Sequence, residues 1–239
     1  MKTFNRVLSG EFRRLLKYNI IQVSFGVSVL WLFVLFLIGK EAAGPFIGLF
    51  IFMDITMMTV LLMGVSLFYE RQENTLKTML VTPASLTSLI ASKIISALYL
   101  AIQSGLILAL FGKFFFEVSI AIVPLMVFIL IIALAHGAIG FVMSLYSNDF
   151  NGLLALLMAY MVILAFPSIF YAFELIPSSV ETLLIVSPTH ASFILIENST
   201  GTDKPLWEII VSIAYLIILS GALMKFIIFP DYASKGVKE

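Results

Sequence analysis

Six apolar runs divide the sequence, and each is long enough to cross a lipid bilayer. A span needs about 20 apolar residues, because roughly 30 Å of hydrocarbon is crossed at about 1.5 Å per residue of α-helix. Helices suit this environment because they pair their backbone polar groups internally. We therefore predict an all-α membrane protein with six transmembrane helices. The runs occupy residues 20–38, 46–68, 94–111, 119–145, 153–172 and 207–229, and the fourth could begin as late as Pro124.

The composition agrees with a single membrane domain over residues 1–239. Hydrophobic residues make up 61% of the chain and charged residues 12%, whereas soluble domains have about 45–50% and about 25%. The formal net charge of zero gives no basic surface for nucleic acid. The absence of cysteine excludes disulfides and thiolate metal sites.

The basic residues are distributed unequally between the two sides of the predicted bundle. Basic residues favour the cytoplasmic side of a membrane. One side carries only Lys40, Lys113 and Lys204. We therefore predict a multi-pass protein of a prokaryotic plasma (inner) membrane with both termini in the cytoplasm. The other side carries Lys2, Arg6, Arg13, Arg14, Lys17, Arg71, Lys77, Lys93, Lys225, Lys235 and Lys238.

Residues 1–18 form an amphipathic helix in pattern, suited to the cytoplasmic membrane interface. Glu11 interrupts the apolar arc, which an interfacial helix does not need. Two interpretations remain open: the helix anchors the chain to lipid, or Glu11 and Arg14 contact a protein partner. The apolar arc comprises Phe4, Val7, Leu8, Phe12, Leu15 and Leu16.

The segment between the second and third runs, ERQENTLKTMLVTP at 70–83, is the extended polar stretch in the middle of the chain. Asn74 or Thr75 can cap a short helix there, Pro83 can end it, and Ser85 or Thr87 can begin the next helix. Well-capped connectors show the same pattern without any further role. Its apolar positions, Leu76, Met79 and Leu80, fall on one face.

This segment resembles the coupling-helix region of type-2 ABC transporter permeases, whose pattern is E-R/K-E-x-G-T-L-E-x-L-x-x-T-P. Asn74 stands where glycine is usual and Lys77 where glutamate is usual. Asparagine tolerates left-handed backbone geometry, so we expect the turn to be kept. The matching residues are Glu70, Arg71, Thr75, Leu76, Leu80, Thr82 and Pro83.

The resemblance implies that the chain is the permease subunit of an ABC exporter and works with a separate ABC ATPase subunit. It also implies a second permease copy, identical or paralogous, that pairs with this one through the first, second and fifth spans. The chain has no G-x-x-x-x-G-K-S/T loop, so ATP and Mg²⁺ are expected on the ATPase, and this chain is expected to be neither an enzyme nor a cofactor-binding protein. It is similar to fluoroquinolone-type multidrug exporters, which implies a small-molecule, amphiphilic substrate. Antimicrobial-peptide immunity transporters and sodium exporters have comparable lengths. Coupling to the ATPase is assigned to the 69–90 segment and the N-terminal helix, through Glu70, Arg71, Glu73, Thr75, Leu76, Met79, Leu80, Pro83, Glu11 and Arg14.

Residues 173–206, before the last run, are too apolar for a solvated loop. They predict two half-length re-entrant helices over 180–186 and 187–196, with Ser187 as cap and Pro188 in the first turn. Family members have re-entrant external helices at this place. Glu174, Pro177 and Pro188 are candidates for an external gate.

Asp54, Gln103 and His136 are polar residues that lie well inside the predicted spans. Ionisable groups at membrane depth indicate function by default, so they are candidates for the substrate pathway, with Asp54 and His136 as a proton- or cation-sensing pair. Alternatively they make interhelical hydrogen bonds, worth about 0.6–2 kcal/mol each.

Other residues in the spans indicate packing. Ala133, Gly137, Gly140 and Ser144 repeat along the fourth run and predict close helix packing. The 22 phenylalanines and 11 methionines could line a cavity for amphiphiles, or simply face lipid.

Two other classes of protein remain as alternatives. An intramembrane enzyme is poorly supported, because H-E-x-x-H is absent and His136 and His190 lie in distant segments. A membrane assembly or sensor subunit without a transport role would keep the same cytoplasmic segments.

Overall fold

The computed structural model describes residues 2–80 and 84–238, and within these ranges the chain forms helices and turns without a strand. Six helices are long and apolar enough to cross a membrane, which confirms the predicted all-α, six-span architecture. The spans are Ile20–Ile38, Ala43–Gln72, Leu86–Phe114, Ile122–Tyr146, Phe150–Ala172 and Leu206–Tyr232.

The second and third spans are longer than the sequence predicts, at 30 and 29 residues. At about 1.5 Å per residue each measures about 45 Å, which exceeds the roughly 30 Å of bilayer hydrocarbon. These two helices therefore carry polar residues beyond the hydrocarbon while remaining packed against each other. The fourth span begins at Ile122, which puts Pro124 in its first turn.

Three shorter helices gather at one end of the bundle, which we call the base. They are the N-terminal helix (Lys2–Lys17), a short helix (Thr75–Leu80) and the C-terminal helix (Phe229–Lys238). The N-terminal helix packs along the third span, and the C-terminal helix contacts the short helix. The base therefore brings the N-terminal segment and residues 70–80 onto one surface.

The opposite, distal end is built from residues between the fifth and sixth spans. A 3₁₀ turn at Ser178–Val180 and one helical turn at Glu181–Leu184 precede the distal helix, Pro188–Ser199. The first half-length helix is thus shorter than predicted, whereas the second is present with Pro188 in its first turn. Ser187 is the N-cap residue of that helix as predicted, but its side chain makes no capping hydrogen bond, and its hydroxyl donates to the Leu164 carbonyl at 3.0 Å.

Each of three spans contains one turn of π-helix. These turns are Asp54–Met58 in the second span, Met161–Ala165 in the fifth and Met224–Ile228 in the sixth. A π turn adds a residue to the regular α-helix and often marks a functional position. The apolar pattern of the sequence gave no indication of them.

The second span forms the centre of the bundle. Within an 18-residue apolar stretch of this span 78% of the residues are buried, against 22% for the first span, 28% for the fifth and 17% for the sixth. The predicted close packing of the fourth span is confirmed, because a methyl group added at Gly140 would overlap the Val60 carbonyl. The first, fifth and sixth spans therefore offer most of the surface for lipid or another chain.

Candidate functional site

Four charged residues form the basal ion cluster: Glu11, Arg14, Glu70 and Lys93. The Lys93 Nζ lies 2.5 Å from Glu70 Oε1 and 3.4 Å from Glu11 Oε2. The Arg14 Nε lies 3.1 Å from Glu70 Oε1, and Arg14 also pairs with Glu11. The side chains of Lys93, Glu11 and Glu70 are each only 1% exposed.

The cluster joins three elements of the fold. Glu11 comes from the N-terminal helix, Glu70 from the end of the second span and Lys93 from the start of the third. Burial alone would raise the pKa of Glu11, but the charges of Lys93 and Arg14 outweigh burial and hold that pKa below its ordinary value. Glu11 therefore stays ionised and keeps the N-terminal helix attached to the two spans.

Because the cluster is buried, its four side chains must stay paired for the N-terminal helix and the two spans to remain in place. It contains two acidic and two basic side chains, so the charges balance. Removing one member of a buried pair typically costs about 3–5 kcal/mol, because the other charge is left without compensation. The interruption of the apolar arc at Glu11 is thus explained by a partner inside the chain itself.

The segment after Glu70 has the turn that the sequence predicts. Asn74 has a φ of 55°, which confirms that asparagine takes the left-handed conformation of the usual glycine. The Thr75 hydroxyl donates to the Glu70 carbonyl at 3.0 Å, and Met79 Sδ accepts from Arg14 at 3.1 Å. The remaining coupling candidates, Pro83 and the side chains of Leu76 and Leu80, lie outside the described part of the chain.

The next helix begins as the sequence predicts. Ser85 is its N-cap, and the Ser85 hydroxyl accepts from the Ser88 amide at 3.2 Å.

Arg71 and Glu73 point away from the cluster and make separate contacts. The Arg71 guanidinium donates to the carbonyls of Ser144 at 2.5 Å and Ser147 at 2.9 Å, at the end of the fourth span. A cation there satisfies carbonyls that lack helical partners. Glu73 is exposed and pairs with Lys17 at 2.9 Å.

Sequence reasoning missed Lys93, which counted only as one of the cytoplasmic cations. The signal that could have found it is the isolated acid within the apolar arc of the N-terminal helix, since a buried carboxylate requires a cation.

The three candidates within the spans are not brought together. Asp54 Oδ2 accepts from the Ser28 hydroxyl of the first span at 2.7 Å, which is an interhelical hydrogen bond. His136 Nδ1 lies 3.0 Å from the Ile132 carbonyl of its own helix and therefore donates to it. Among the described residues, no hydrogen bond or ion pair joins Asp54, Gln103 and His136.

The distal end holds a second group of charges, the distal ion cluster of Glu181, Glu197 and Lys204. The Lys204 Nζ lies 2.9 Å from Glu181 and 2.8 Å from Glu197. Burial raises the pKa of Glu197 despite the adjacent Lys204. Burial would also raise the pKa of Glu181, but hydrogen bonds from Tyr171 and Lys204 keep it below its ordinary value.

Two of the three gate candidates share a cavity beside this cluster. Glu174 and Pro177 line a cleft of about 460 Å³ together with Glu197 and Lys204. Pro188, which is buried at the start of the distal helix, is not among the residues that line this cleft.

The comparison with protein families decides the class of the chain. The model of the ABC-2 family transporter proteins matches residues 39–229. The chain belongs to this family. The match runs from the second span through the sixth and includes the 70–83 segment and the distal helix, whereas the N-terminal helix lies outside it. The protein is therefore a transmembrane permease subunit of the ABC-2 type. A search of curated proteins found no match.

Proposed function

We propose that this ABC-2 permease is the membrane subunit of an ATP-driven exporter and that a separate ATPase subunit docks at its base. The basal ion cluster is the observation that supports this proposal most. It attaches the N-terminal helix and the coupling segment, which the structure describes over residues 69–80, to the second and third spans through buried contacts between charged groups. A force applied to either element would move both spans together.

Arg71 extends this connection to a further span. Its guanidinium holds the end of the fourth span through the Ser144 and Ser147 carbonyls. Because Arg71 follows Glu70 directly, a displacement of the coupling segment would be felt by the second, third and fourth spans. Movement of these spans would open the path for substrate toward the distal end.

The surface available for docking consists of the exposed residues around the cluster. Arg13 and Lys17 are exposed on the N-terminal helix, and Glu73 and Thr78 on the coupling segment. A partner would therefore contact these residues directly, whereas Glu11 and Glu70 would act from inside by fixing the two elements.

The remaining parts of the proposal concern orientation, assembly and substrate. The base faces the cytoplasm of a prokaryotic cell, because the basic residues gather there. A second permease copy pairs through the first and fifth spans, since the second span is mostly buried within its own chain. The substrates are drugs or other amphiphilic compounds.

The test compares two exposed threonines at opposite ends of the molecule. Thr78 lies on the coupling segment, and Thr182 lies on the single helical turn at the distal end. The measured quantity is the ATPase activity that copurifies with the tagged permease from native membranes. Thr78→Arg should reduce this activity by at least about ten-fold, because a bulky cation obstructs docking. Thr182→Arg is the matched control and should retain it.

Export is measured in inverted vesicles as ATP-dependent accumulation of a fluorescent amphiphile. Thr78→Arg should abolish accumulation while the amount of inserted permease stays unchanged. Equal hydrolysis and accumulation in the two variants would refute docking at the base.

A further inference from the structure

A groove between the fourth, fifth and sixth spans contains an unsatisfied hydroxyl group. The groove has a volume of about 390 Å³ and is lined almost entirely by apolar side chains, with Tyr160 and Tyr215 as its hydroxyl-bearing residues. Tyr160 is 6% exposed, and its hydroxyl makes no hydrogen bond among the described residues. Buried hydroxyls are nearly always paired, so this one requires an explanation.

Tyr160 lies near the middle of the membrane. It follows Phe150, the first residue of the fifth span, by about ten residues, or about 15 Å. Half of a bilayer's hydrocarbon is also roughly 15 Å thick. The adjacent His136 ring stacks edge-on against Tyr160 with a centroid distance of 6.2 Å, and His136 Nε2 has no partner within the described residues either.

This depth limits what can pair with the hydroxyl. Bulk water is absent from the hydrocarbon. The ester and head groups of phospholipids lie at the interface, about 15 Å away. His136 Nε2, the neighbouring acceptor of the chain, makes no hydrogen bond to this hydroxyl in the structure. An acceptor from outside the chain would have to arrive on a molecule that carries it into the hydrocarbon.

We propose that this tyrosine groove binds an amphiphile whose apolar body contacts Met143 and Leu164 and whose hydrogen-bond acceptor meets the Tyr160 hydroxyl. The volume suits one drug-sized molecule. Methionine adapts to ligands of different shape, which fits Met143 in the wall. The inference deepens the proposed function, because it gives the exported amphiphile an entry site from the membrane.

The wall of the groove is connected to the distal end. Leu164 lies in the π turn Met161–Ala165, and its carbonyl accepts from the hydroxyls of Ser187 and Thr189. Pro188, at the start of the distal helix, also lines the groove. An amphiphile bound there would touch both the irregular turn of the fifth span and the helix attached to it.

The molecule offers an internal comparison. A second groove, between the first and third spans, has a similar volume of about 450 Å³ and is lined by residues without a polar side chain, including Phe25, Phe33 and Phe111. Because this phenylalanine groove offers no hydrogen bond, an apolar probe should have no preference for it over the surrounding lipid.

The experiment uses 4-decyloxybenzophenone, an apolar probe whose carbonyl is both the acceptor and the photoreactive group. Purified permease in nanodiscs is irradiated with it, and the adducts are mapped by peptide mass spectrometry. We expect labelling at Met143 and Leu164 to exceed labelling at Phe25 and Phe33. Tyr160→Phe should reduce the labelling at Met143 by about five-fold, the effect of one hydrogen bond.

Tyr99→Phe is the matched control, because Tyr99 lies on the third span and lines neither groove. It should leave the labelling of the groove within about two-fold of the unsubstituted protein. Labelling at Phe25 reports whether each variant keeps its fold.

Several results would overturn the proposal. Unchanged labelling in Tyr160→Phe would show that the hydroxyl takes no part. Displacement of the probe by excess phospholipid would make the groove a lipid site, and its displacement in nanodiscs that hold two copies would make it a subunit contact. No ATPase is present in this experiment, so its failure would leave the docking result at Thr78 unaffected.

Discussion

The two ends of the molecule use the same arrangement, a lysine between two glutamates, in different surroundings. At the base, Lys93 bridges Glu11 and Glu70, and all three are 1% exposed. At the distal end, Lys204 bridges side chains that are 16% and 22% exposed. The lysine–glutamate contacts are therefore buried between long helices at the base, where Arg14 balances the charge, and partly exposed beside a cleft at the distal end.

The largest effect is expected for Lys93→Met, which leaves two buried carboxylates without their shared cation. We expect the free energy of unfolding to fall by about 3–5 kcal/mol. Thermal unfolding of the purified permease, followed by circular dichroism, measures it. The double variant Lys93→Met, Glu70→Gln, which leaves Glu11 and Arg14 as a pair with balanced charge, should recover part of the loss. A full loss in the double variant would contradict the view that the damage comes from unpaired charge.

A smaller effect is expected for Lys204→Met. Water reaches this cluster, so we expect a loss of about 1.5–3 kcal/mol, comparable to a hydrogen bond with a charged group. The same unfolding measurement, made beside Lys93→Met, checks the order of the two. Equal destabilisation would show that burial does not distinguish the ends.

Acidification should reach the distal cluster first. The ordinary pKa of glutamate is 4.5, the pKa of Glu197 is raised and that of Glu11 is lowered. Glu197 thus contributes stability that is complete below pH 4.5 and is lost as the pH rises through its folded pKa. The contribution of Glu11 is complete above pH 4.5 and is lost as the pH falls through its folded pKa.

Infrared difference spectroscopy of the carboxyl carbonyl band tests this order. Protonation above pH 4.5 should be weakened in Glu197→Gln and retained in Glu11→Gln. The reverse result would contradict the assignment.

The smallest effect is expected at the exposed pair Lys17–Glu73, where the lysine side chain is 63% exposed. Lys17→Met should leave the thermal midpoint unchanged, because exposed ion pairs contribute little. It should still weaken recovery of the ATPase if this surface is the docking site, and unchanged recovery would remove Lys17 from that surface.

The sequence predicted those parts of the fold that depend on local pattern. The six spans, the left-handed turn at Asn74 and the cap at Ser85 follow from hydrophobic length and from the preferences of single residues. The family resemblance likewise rests on a contiguous stretch of sequence.

Contacts between distant residues were not predictable. Lys93 and Glu11 lie 82 positions apart, and nothing in their neighbourhoods states which acid meets which cation. The Ser28–Asp54 hydrogen bond and the Ser187–Leu164 contact depend in the same way on how the helices pack. The coupling candidates thus separated into buried and exposed sets only in three dimensions.

The π turn at Asp54–Met58 determines how the two halves of the second span are oriented. One residue more than a regular helix amounts to a rotation of about 100° about the helix axis. A regular α-helix would place certain side chains of this span on one face. With the π turn, those side chains face different neighbours before and after the turn. The direction in which Glu70 points toward Lys93 is therefore set by a π turn well inside the bilayer. This turn leaves the apolar composition of the span unchanged.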